Sequence, residues 1–295
     1  MPKYNTIPKI IHYCWFGGNQ LPDLAVKCIA SWKKFFPDYE IKEWNESNFD
    51  FNCCEYVKEA YQAQKWAFVS DYARFWILYK YGGLYFDTDV EVIKSMHDLI
   101  EKGSFMGCEP YNSVFSIHKK NSLENRIKVS EGVNAGLGLA ATPGLGLYKE
   151  ILVDYENDHF RIPEKGSPMT VVERVTKVLL SFGFQPQISL QNPEGVQLIE
   201  GVYIYPSEYF CPLDYNTGKM KITQNTRSIH HYTASWLNNT DKKIVEIQQR
   251  FAAKGKSGCR SERLITLPLR VKNKVTKLGI SGMFKFAIKK ILKKV

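Results

Sequence analysis

Apolar residues follow two different spacings near the start of the chain, and together these spacings predict a β-α-β unit. Residues 7–16, IPKIIHYCWF, form a short apolar run that ends in a glycine pair, which is typical of a buried strand. Residues 22–36 place apolar side chains on one helical stripe, which begins at Pro22 and stops at Pro37. The alternating segment YEIKEWN then predicts a second strand. This order predicts an α/β domain with a doubly wound, Rossmann-like layer.

A second helix and strand follow at residues 66–92. The stretch WAFVSDYARFWILYKY, residues 66–81, predicts one helix that ends at the next two glycines. The aromatic and β-branched segment LYFDTDVEVI then suits a strand. Asp87 and Asp89 lie at or just beyond the end of that strand, where open α/β sheets bind ligands. In extended backbone, residues two apart point the same way, so both carboxylates face one site.

The middle of the chain gives weaker patterns. Residues 131–147, EGVNAGLGLAATPGLGL, are rich in glycine and fit either a tight segment that approaches a ligand or a packing surface. Residues 168–182 predict a helix, with Ser167 as its N-cap. Residues 202–213 predict a strand followed by a turn bounded by prolines.

Composition and charge narrow the class of protein. The chain has 295 residues and is 44% hydrophobic, enough for a substantial core. Its net charge of +10 comes from residues 260–295, which carry eleven basic residues and one acid, so the rest is balanced and gives no sign of nucleic-acid binding. Seven cysteines without metal-type spacing predict free thiols. With no signal-peptide pattern at its start, we expect a cytoplasmic protein.

Two neighbouring carboxylates repel each other unless a cation or donor lies between them. Oxygen ligands of this kind suit Mg²⁺ or Mn²⁺, with phosphate and water completing the shell. An isolated DxD is also common in a solvated turn. Here, however, it ends a continuous pattern over residues 70–89, S-D-x-x-R-x-x-x-L-Y-x-x-G-G-x-Y-x-D-x-D.

This pattern resembles the family 32 glycosyltransferases, the DxD sugar-binding region family that includes capsular polysaccharide enzymes and yeast mannosyltransferases. It is also similar to the catalytic domains of the clostridial glucosylating toxins. Three further segments share the resemblance, which covers about residues 7–240: IIHYCWFGG at 10–18, IYPSEYFCP at 204–212 and IHHYTASW at 229–236.

The resemblance implies a GT-A fold with a mixed central sheet and added helices, binding a nucleotide-sugar through a divalent metal. It implies a catalytic group of Asp71, Arg74, Asp87 and Asp89, in which Asp71 and Arg74 grip the donor sugar. For the metal it implies Asp87 and Asp89, with either His230 or His231 near the metal or the diphosphate. The remaining implied nucleotide-sugar contacts are Trp15, Tyr85, Asn134, Ser235 and Trp236.

The function implied is metal-dependent, retaining transfer of a hexose from a nucleotide-sugar, most simply a UDP-sugar with Mn²⁺ or Mg²⁺. The acceptor is a saccharide, which can be lipid-linked, in capsular polysaccharide or O-antigen biosynthesis. Two alternatives stay open: an inactive carbohydrate- or membrane-binding module of the same fold, and a DxD-type phosphohydrolase.

The end of the chain predicts a separate region. We predict a glycosyltransferase domain at 1–240 and a basic helical tail at 241–295. In residues 281–295, SGMFKFAIKKILKKV, apolar residues recur at helical spacing among five lysines. That pattern predicts either packing on the domain or peripheral attachment to an anionic inner-leaflet membrane surface, and we favour the second.

Overall fold

The structure is a computed structural model that describes residues 6–117, 125–163, 168–186, 195–215, 217–233, 239–252, 254–255 and 259–273. The chain divides into two compact units. The first comprises Met1–Leu213 with Lys221–His231, and the second comprises Asp214–Met220 with Tyr232–Val295. The domain boundary that the sequence predicts, between residues 240 and 241, stays a prediction.

The first unit is built on strands and helices that alternate through its first half. Its strands are β1 (Ile10–Cys14), β2 (Glu40–Trp44), β3 (Gly83–Tyr85), β4 (Val90–Val92), β5 (Phe105–Ile117), β6 (Asn125–Asn134), β7 (Leu139–Ala141), β8 (Gln197–Ile199), β9 (Val202–Tyr205) and β10 (Ser228–His230). Its helices are α1 (Asp23–Phe35), α2 (Glu55–Gln62), α3 (Trp66–Tyr81), α4 (His97–Lys102), α5 (Gly146–Glu156), α6 (Val171–Ser181) and α7 (Ser207–Phe210).

A mixed sheet of eight strands forms the centre of this unit. Its order is β2-β1-β3-β7-β5-β9-β8, and β6 pairs with β5 outside that path. Strand β1 is parallel to both β2 and β3, whereas β7 is antiparallel to β3 and β5. Strands β4 and β10 form a separate antiparallel pair. The predicted α/β class with a mixed central sheet is therefore confirmed, including its β-α-β start. The single strand predicted for LYFDTDVEVI was wrong: a turn closed by the N–H of Val90 and the carbonyl of Asp87, 3.0 Å apart, divides it into β3 and β4, which belong to different sheets.

Helix α3 leads through two glycines into the strand that precedes the DxD segment. Most of its side chains are buried, so its apolar residues pack on more than one face. The helix ends at Gly82, whose N–H donates to the carbonyl of Leu78 at 2.8 Å. Gly82 and Gly83 both have positive φ, and a Cβ on Gly83 would lie 2.6 Å from the carbonyl oxygen of Ile10. Glycine is therefore required where the chain turns from α3 directly into β3 beside β1.

The predicted helix at 168–182 begins later than expected. Helix α6 starts at Val171, and its N-cap is Thr170, whose Oγ1 accepts the backbone N–H of Glu173 at 3.2 Å. Ser167, the predicted cap, lies outside the described residues. The prediction of this cap was wrong because Thr170 fills the position itself, three residues before a glutamate in a capping-box spacing.

The described part of the second unit is mainly helical. It contains α8 (Asn239–Ala252) and a further helix at 260–273. The predicted amphipathic segment at 281–295 lies outside the described residues. None of the helices in the described part of the chain combines the length and the apolar character needed to cross a membrane.

Candidate functional site

Two side chains from one face of α3 reach the DxD segment. One carboxylate oxygen of Asp71 lies 2.9 Å from Nη2 of Arg74, and the same nitrogen lies 3.2 Å from Oδ1 of Asp87. Nε of Arg74 donates to the carbonyl of Ser70 at 3.0 Å, which fixes the guanidinium within the helix. Nη1 of Arg74 is buried and has no hydrogen-bond partner among the described residues. The arrangement thus offers one buried donor for an oxygen atom of a ligand.

Two hydrogen bonds and a close contact with Gly136 hold Asp87 in place. The hydroxyl of Tyr85 donates to its Oδ1 at 3.1 Å, and its backbone N–H donates to the carbonyl of Gly136 at 3.2 Å. A Cβ on Gly136 would lie only 2.2 Å from Oδ2 of Asp87, so the carboxylate packs directly against a bare backbone. The glycine-rich segment 131–147 therefore approaches the DxD segment at this residue.

Asn134 continues this network away from Asp87. Its side-chain oxygen accepts the backbone N–H of Gly136 at 2.7 Å, and its Nδ2 donates to Oε2 of Glu109 at 2.7 Å. The amide is buried, and both its oxygen and its nitrogen hold neighbours in place. In this structure Asn134 orients the loop that carries Gly136 against Asp87.

Asp89 contacts His230, which lies near the C-terminal end of the first unit in sequence. Strand β10 pairs with β4 so that His230 lies opposite Val90, and Nε2 of His230 comes 3.2 Å from Oδ1 of Asp89. One ligand atom each from Asp87, Asp89 and His230 lies within 4.8 Å of the others. Two carboxylates and one imidazole nitrogen are suitable ligands for a divalent cation such as Mn²⁺. The residues present therefore fit the metal that the resemblance implies.

His231 lies outside this three-residue group. Its backbone N–H donates to the carbonyl of Asp89 at 2.9 Å, and its Nε2 lies 2.8 Å from Oε2 of Glu91. The same carboxylate oxygen accepts from the ammonium of Lys27 at 2.9 Å. Of the two histidines that the sequence left open, the structure brings His230 to the carboxylates, whereas His231 holds the turn that carries Asp89 and the β4 strand that follows it.

Several ionisable side chains lie close together at the site. Asp71 and Asp87 both contact the buried Arg74, and Asp89 lies near Asp87 and His230. Burial raises the pKa of Asp71 to about 7, although Arg74 opposes the shift. Burial also raises the pKa of Asp87, with Arg74 lowering it and Asp89 adding to the rise. Burial acts to lower the pKa of His230, but the carboxylates of Asp89, Asp87 and Glu109 together outweigh this effect and raise the pKa of the imidazole. The raised pKa values of the two aspartates show that negative charge is costly in this site, and a bound cation would stabilise it.

The other residues predicted to contact the nucleotide-sugar lie at different places in the chain. Trp15 follows the carboxyl end of β1, half-buried, and its indole N–H donates to the carbonyl of Asn19 at 2.6 Å. Because His12 of β1 pairs with Tyr85 of β3, Trp15 and Asp87 extend beyond the same edge of the sheet. Tyr85 is buried beneath Asp87. Ser235 and Trp236 lie outside the described residues, so their predicted roles stay predictions.

The sequence reasoning missed His12, which links three parts of the site's foundation. Its Nδ1 accepts the indole N–H of Trp44 at 3.1 Å, so its Nε2 is the donor to the carbonyl of Gly82, also at 3.1 Å. Burial lowers its pKa to about 4, so the ring stays neutral at neutral pH. The signal was the lone polar residue inside the apolar run IIHYCWF, where a buried histidine requires partners.

Known proteins resemble part of this chain. Residues 22–106 match the family described as "Glycosyltransferase sugar-binding region containing DXD motif". Inositol phosphoceramide mannosyltransferase 3 of Schizosaccharomyces pombe is 36% identical over 99 residues, which cover 32% of this chain and 28% of the relative. Inositol phosphoceramide mannosyltransferase 1 of the same yeast is 29% identical over 115 residues, which cover 35% and 34%.

A solved structure, the PaToxG Glycosyltransferase, aligns with a TM-score of 0.41 and 17% identity, covering 61% of this chain and 71% of that chain. The present chain spans only about a third of the length of the two yeast relatives. The matched segment contains α1, α3 and both DxD carboxylates. Residues 22–106 thus match the DXD-containing sugar-binding region of glycosyltransferases, which confirms within that segment the family resemblance that the pattern over residues 70–89 indicated.

Proposed function

We propose that this protein is a metal-dependent, retaining glycosyltransferase that moves a hexose from a nucleotide-sugar to a saccharide acceptor. The observation that carries the proposal is the meeting of Asp87, Asp89 and His230 next to the buried pair Asp71 and Arg74. The divalent cation that accompanies a nucleoside diphosphate supplies positive charge beside these carboxylates. The adjoining arginine and aspartate supply a donor and an acceptor for sugar hydroxyls.

Asp87, Asp89 and His230 would hold the cation, and a bound cation stabilises the charge that develops on the leaving β-phosphate oxygen. The imidazole favours Mn²⁺ over Mg²⁺, because Mg²⁺ prefers oxygen ligands more strictly. Tyr85 and Arg74 keep Asp87 in one orientation, which reduces the reorganisation needed when a ligand binds. Nη1 of Arg74 would then donate to a hydroxyl of the donor sugar.

The retaining outcome follows the family resemblance. We propose a front-face displacement, in which the bond from the anomeric carbon to the diphosphate oxygen breaks as the bond to the acceptor oxygen forms on the same face. The proton of the acceptor hydroxyl passes to the leaving diphosphate. No covalent enzyme intermediate is needed, and the role of the chain is to position and to stabilise charge.

The identities of the donor and of the acceptor are also part of the proposal. A UDP-hexose is our first choice of donor, and the acceptor is a saccharide, lipid-linked in one version, of a capsular or O-antigen pathway. The yeast relatives are named as mannosyltransferases, so GDP-mannose belongs in any donor panel. We further propose a cytoplasmic protein attached peripherally to an anionic membrane surface through its basic C-terminal residues.

The decisive experiment is a panel of UDP-glucose, UDP-galactose, UDP-N-acetylhexosamines and GDP-mannose, each with Mn²⁺, Mg²⁺ or EDTA. We expect one donor to raise the melting temperature and to be slowly hydrolysed, with both effects lost in EDTA. Stabilisation without any turnover, even with saccharide acceptors, would favour the inactive binding module. Release of phosphate from simple phosphate esters would favour the phosphohydrolase. No response to any donor would contradict the proposal.

A further inference from the structure

The helix at 260–273 presents its apolar side to solvent. Four large aliphatic side chains on it are exposed, and we call them the exposed row: Leu264 (60% exposed), Ile265 (52%), Leu267 (54%) and Val271 (43%). Most of the exposed large hydrophobic side chains elsewhere in the described chain stand singly. Isolated exposed aliphatic residues need no explanation, but several on one short helix indicate a binding surface.

The side of this helix that is buried is polar. Glu262, Thr266 and Asn273 are almost fully buried, and they recur at the spacing of one helical face. Oγ1 of Thr266 donates to the carbonyl of Glu262 at 2.9 Å, and Gln248 of α8 reaches Oε1 of Glu262 at 3.5 Å. A helix of a water-soluble domain normally buries its apolar stripe and exposes its polar one. This helix instead buries a polar stripe and leaves its large aliphatic residues exposed.

Basic side chains stand on both sides of the stripe formed by three residues of the exposed row. At 3.6 residues per turn, Leu264, Leu267 and Val271 share one stripe of the helix. Arg263 and Arg270 then fall on one flank of that stripe, and Lys272 falls on the other. Long cationic side chains beside an apolar stripe can reach lipid phosphates while their stems lie along the apolar surface.

We propose that the helix at 260–273 lies in the plane of an anionic lipid surface and inserts its exposed row among the acyl chains. Charge complementarity supports this occupant, because residues 260–295 carry eleven basic residues and one acid, the buried Glu262. The inference deepens the proposed membrane attachment and rests on it for its setting. It assigns the apolar contact to described residues, and vesicle binding is measured independently of turnover.

The test compares binding by charge with binding by insertion. The full chain is centrifuged with vesicles of phosphatidylcholine alone or with added phosphatidylglycerol, at low salt and at about 0.5 M salt, where exposed charges are strongly screened. We expect binding to the anionic vesicles, part of which persists at high salt. The double variant L264D/L267D should lose this salt-resistant part, with an apparent affinity at least about tenfold weaker. I222D is the matched control, because Ile222 is equally exposed (57%) but lies in the first unit.

A second variant keeps the helix intact. In L267W, the new indole reports its surroundings directly, and insertion predicts a blue-shifted emission with anionic vesicles and no shift with neutral ones. Three results would overturn the proposal. L264D/L267D could bind as tightly as the unchanged chain, as expected if charge alone holds the protein on the vesicles. The unchanged chain could fail to bind anionic vesicles. It could also be a dimer that L264D/L267D dissociates, which would make a second copy the occupant.

Discussion

Two buried arginines of the first unit each bridge two aspartates, yet their surroundings differ. Arg74 on α3 contacts Asp71 and Asp87, and Arg174 on α6 contacts Asp154 and Asp158. Both guanidinium groups are almost fully buried, and both lie over tyrosine rings, Arg74 at 5.2 Å from Tyr85 and Arg174 at 4.2 Å from Tyr155. We call these groups the Arg74 cluster and the Arg174 cluster.

The two clusters differ in how exposed their carboxylates are. The side chains of Asp71 and Asp87 are 11% and 29% exposed, whereas those of Asp154 and Asp158 are 35% and 45% exposed. Burial raises the pKa of Asp71 to about 7. At Asp158 burial also acts to raise the pKa, but the hydrogen bond and charge of Arg174 and the backbone N–H of His159 together outweigh it and lower the pKa. The carboxylates of the Arg174 cluster are exposed enough for solvent to stabilise their charge. The carboxylates of the Arg74 cluster, joined through Asp87 to Asp89, are less exposed and are suited to a bound cation.

The largest expected effect comes from removing one carboxylate of the proposed metal group. D89N should lower turnover of the responding donor by at least about 1,000-fold, equivalent to about 4 kcal/mol, because the cation at the leaving group is lost. D154N, which removes a carboxylate of the Arg174 cluster, should leave turnover within about twofold. Donor hydrolysis at saturating Mn²⁺ measures both. Equal losses in the two variants would remove the distinction between the clusters.

Exchanging each arginine for lysine tests what the guanidinium geometry does. R74K should reduce kcat/KM by about 100-fold, since lysine cannot contact Asp71, Asp87 and a sugar hydroxyl together. R174K keeps the positive charge and should lower the free energy of unfolding by about 2 kcal/mol with little change in turnover.

Urea unfolding and steady-state kinetics on both variants separate these outcomes. A cavity of about 240 Å³ adjoins Arg174, lined among others by Tyr56, His159 and Arg161. If R174K raised KM for the acceptor at unchanged stability, the Arg174 cluster would belong to an acceptor site and the comparison would fail.

The part of the site that lies in one continuous segment could be predicted from the sequence, but the contribution of His230 could not. Asp71, Arg74, Asp87 and Asp89 lie within twenty residues, and local helix, glycine and strand signals order them along one continuous segment. His230 reaches Asp89 only through the pairing of β10 with β4, which no local pattern encodes. The same holds for Glu91 and His231, which are 140 positions apart in the chain. Choosing between the two histidines therefore required the strand register.

The fold shows the same division. The β-α-β start and α3 follow from local periodicity and from the glycine pair, and both are confirmed. The neighbours of β7 in the sheet depend on contacts between distant segments, such as the pairing of Tyr85 with Leu139. The close approach of Gly136 to Asp87 likewise needed the sheet order before the glycine-rich segment could be interpreted.

A smaller effect concerns stability and has opposite signs in the two clusters. Asp71 has a folded pKa of about 7, above its ordinary value of 3.8, so its contribution to stability is lost as pH rises through that window. D71N should therefore raise the free energy of unfolding at pH 8, without metal, by about 1 to 2 kcal/mol, after allowing for the contact that Arg74 loses.

In D158N the sign reverses, because the pKa of Asp158 is lowered and its charge stabilises the fold above that pKa. Urea unfolding at pH 8 in EDTA should show a small loss for D158N, no more than about 1 kcal/mol given its exposure. Repeating the measurement at pH 4.5 should shrink the advantage of D71N. A destabilised D71N at pH 8 would mean that Asp71 is a structural partner of Arg74, like the aspartates of the Arg174 cluster.

The smallest effect should come from a histidine that holds a strand without belonging to the proposed metal group. His231 lies 2.8 Å from Glu91, and its backbone supports Asp89, so H231Q should weaken Mn²⁺ binding in the presence of nucleoside diphosphate by about tenfold. His159, near the Arg174 cluster, makes a contact of the same length with Glu59 and is the matched control. H159Q should leave the Mn²⁺ titration, followed by calorimetry, unchanged. Loss of all Mn²⁺ binding in H231Q would place His231 among the ligands, and an unchanged affinity would show that Asp89 keeps its position without this support.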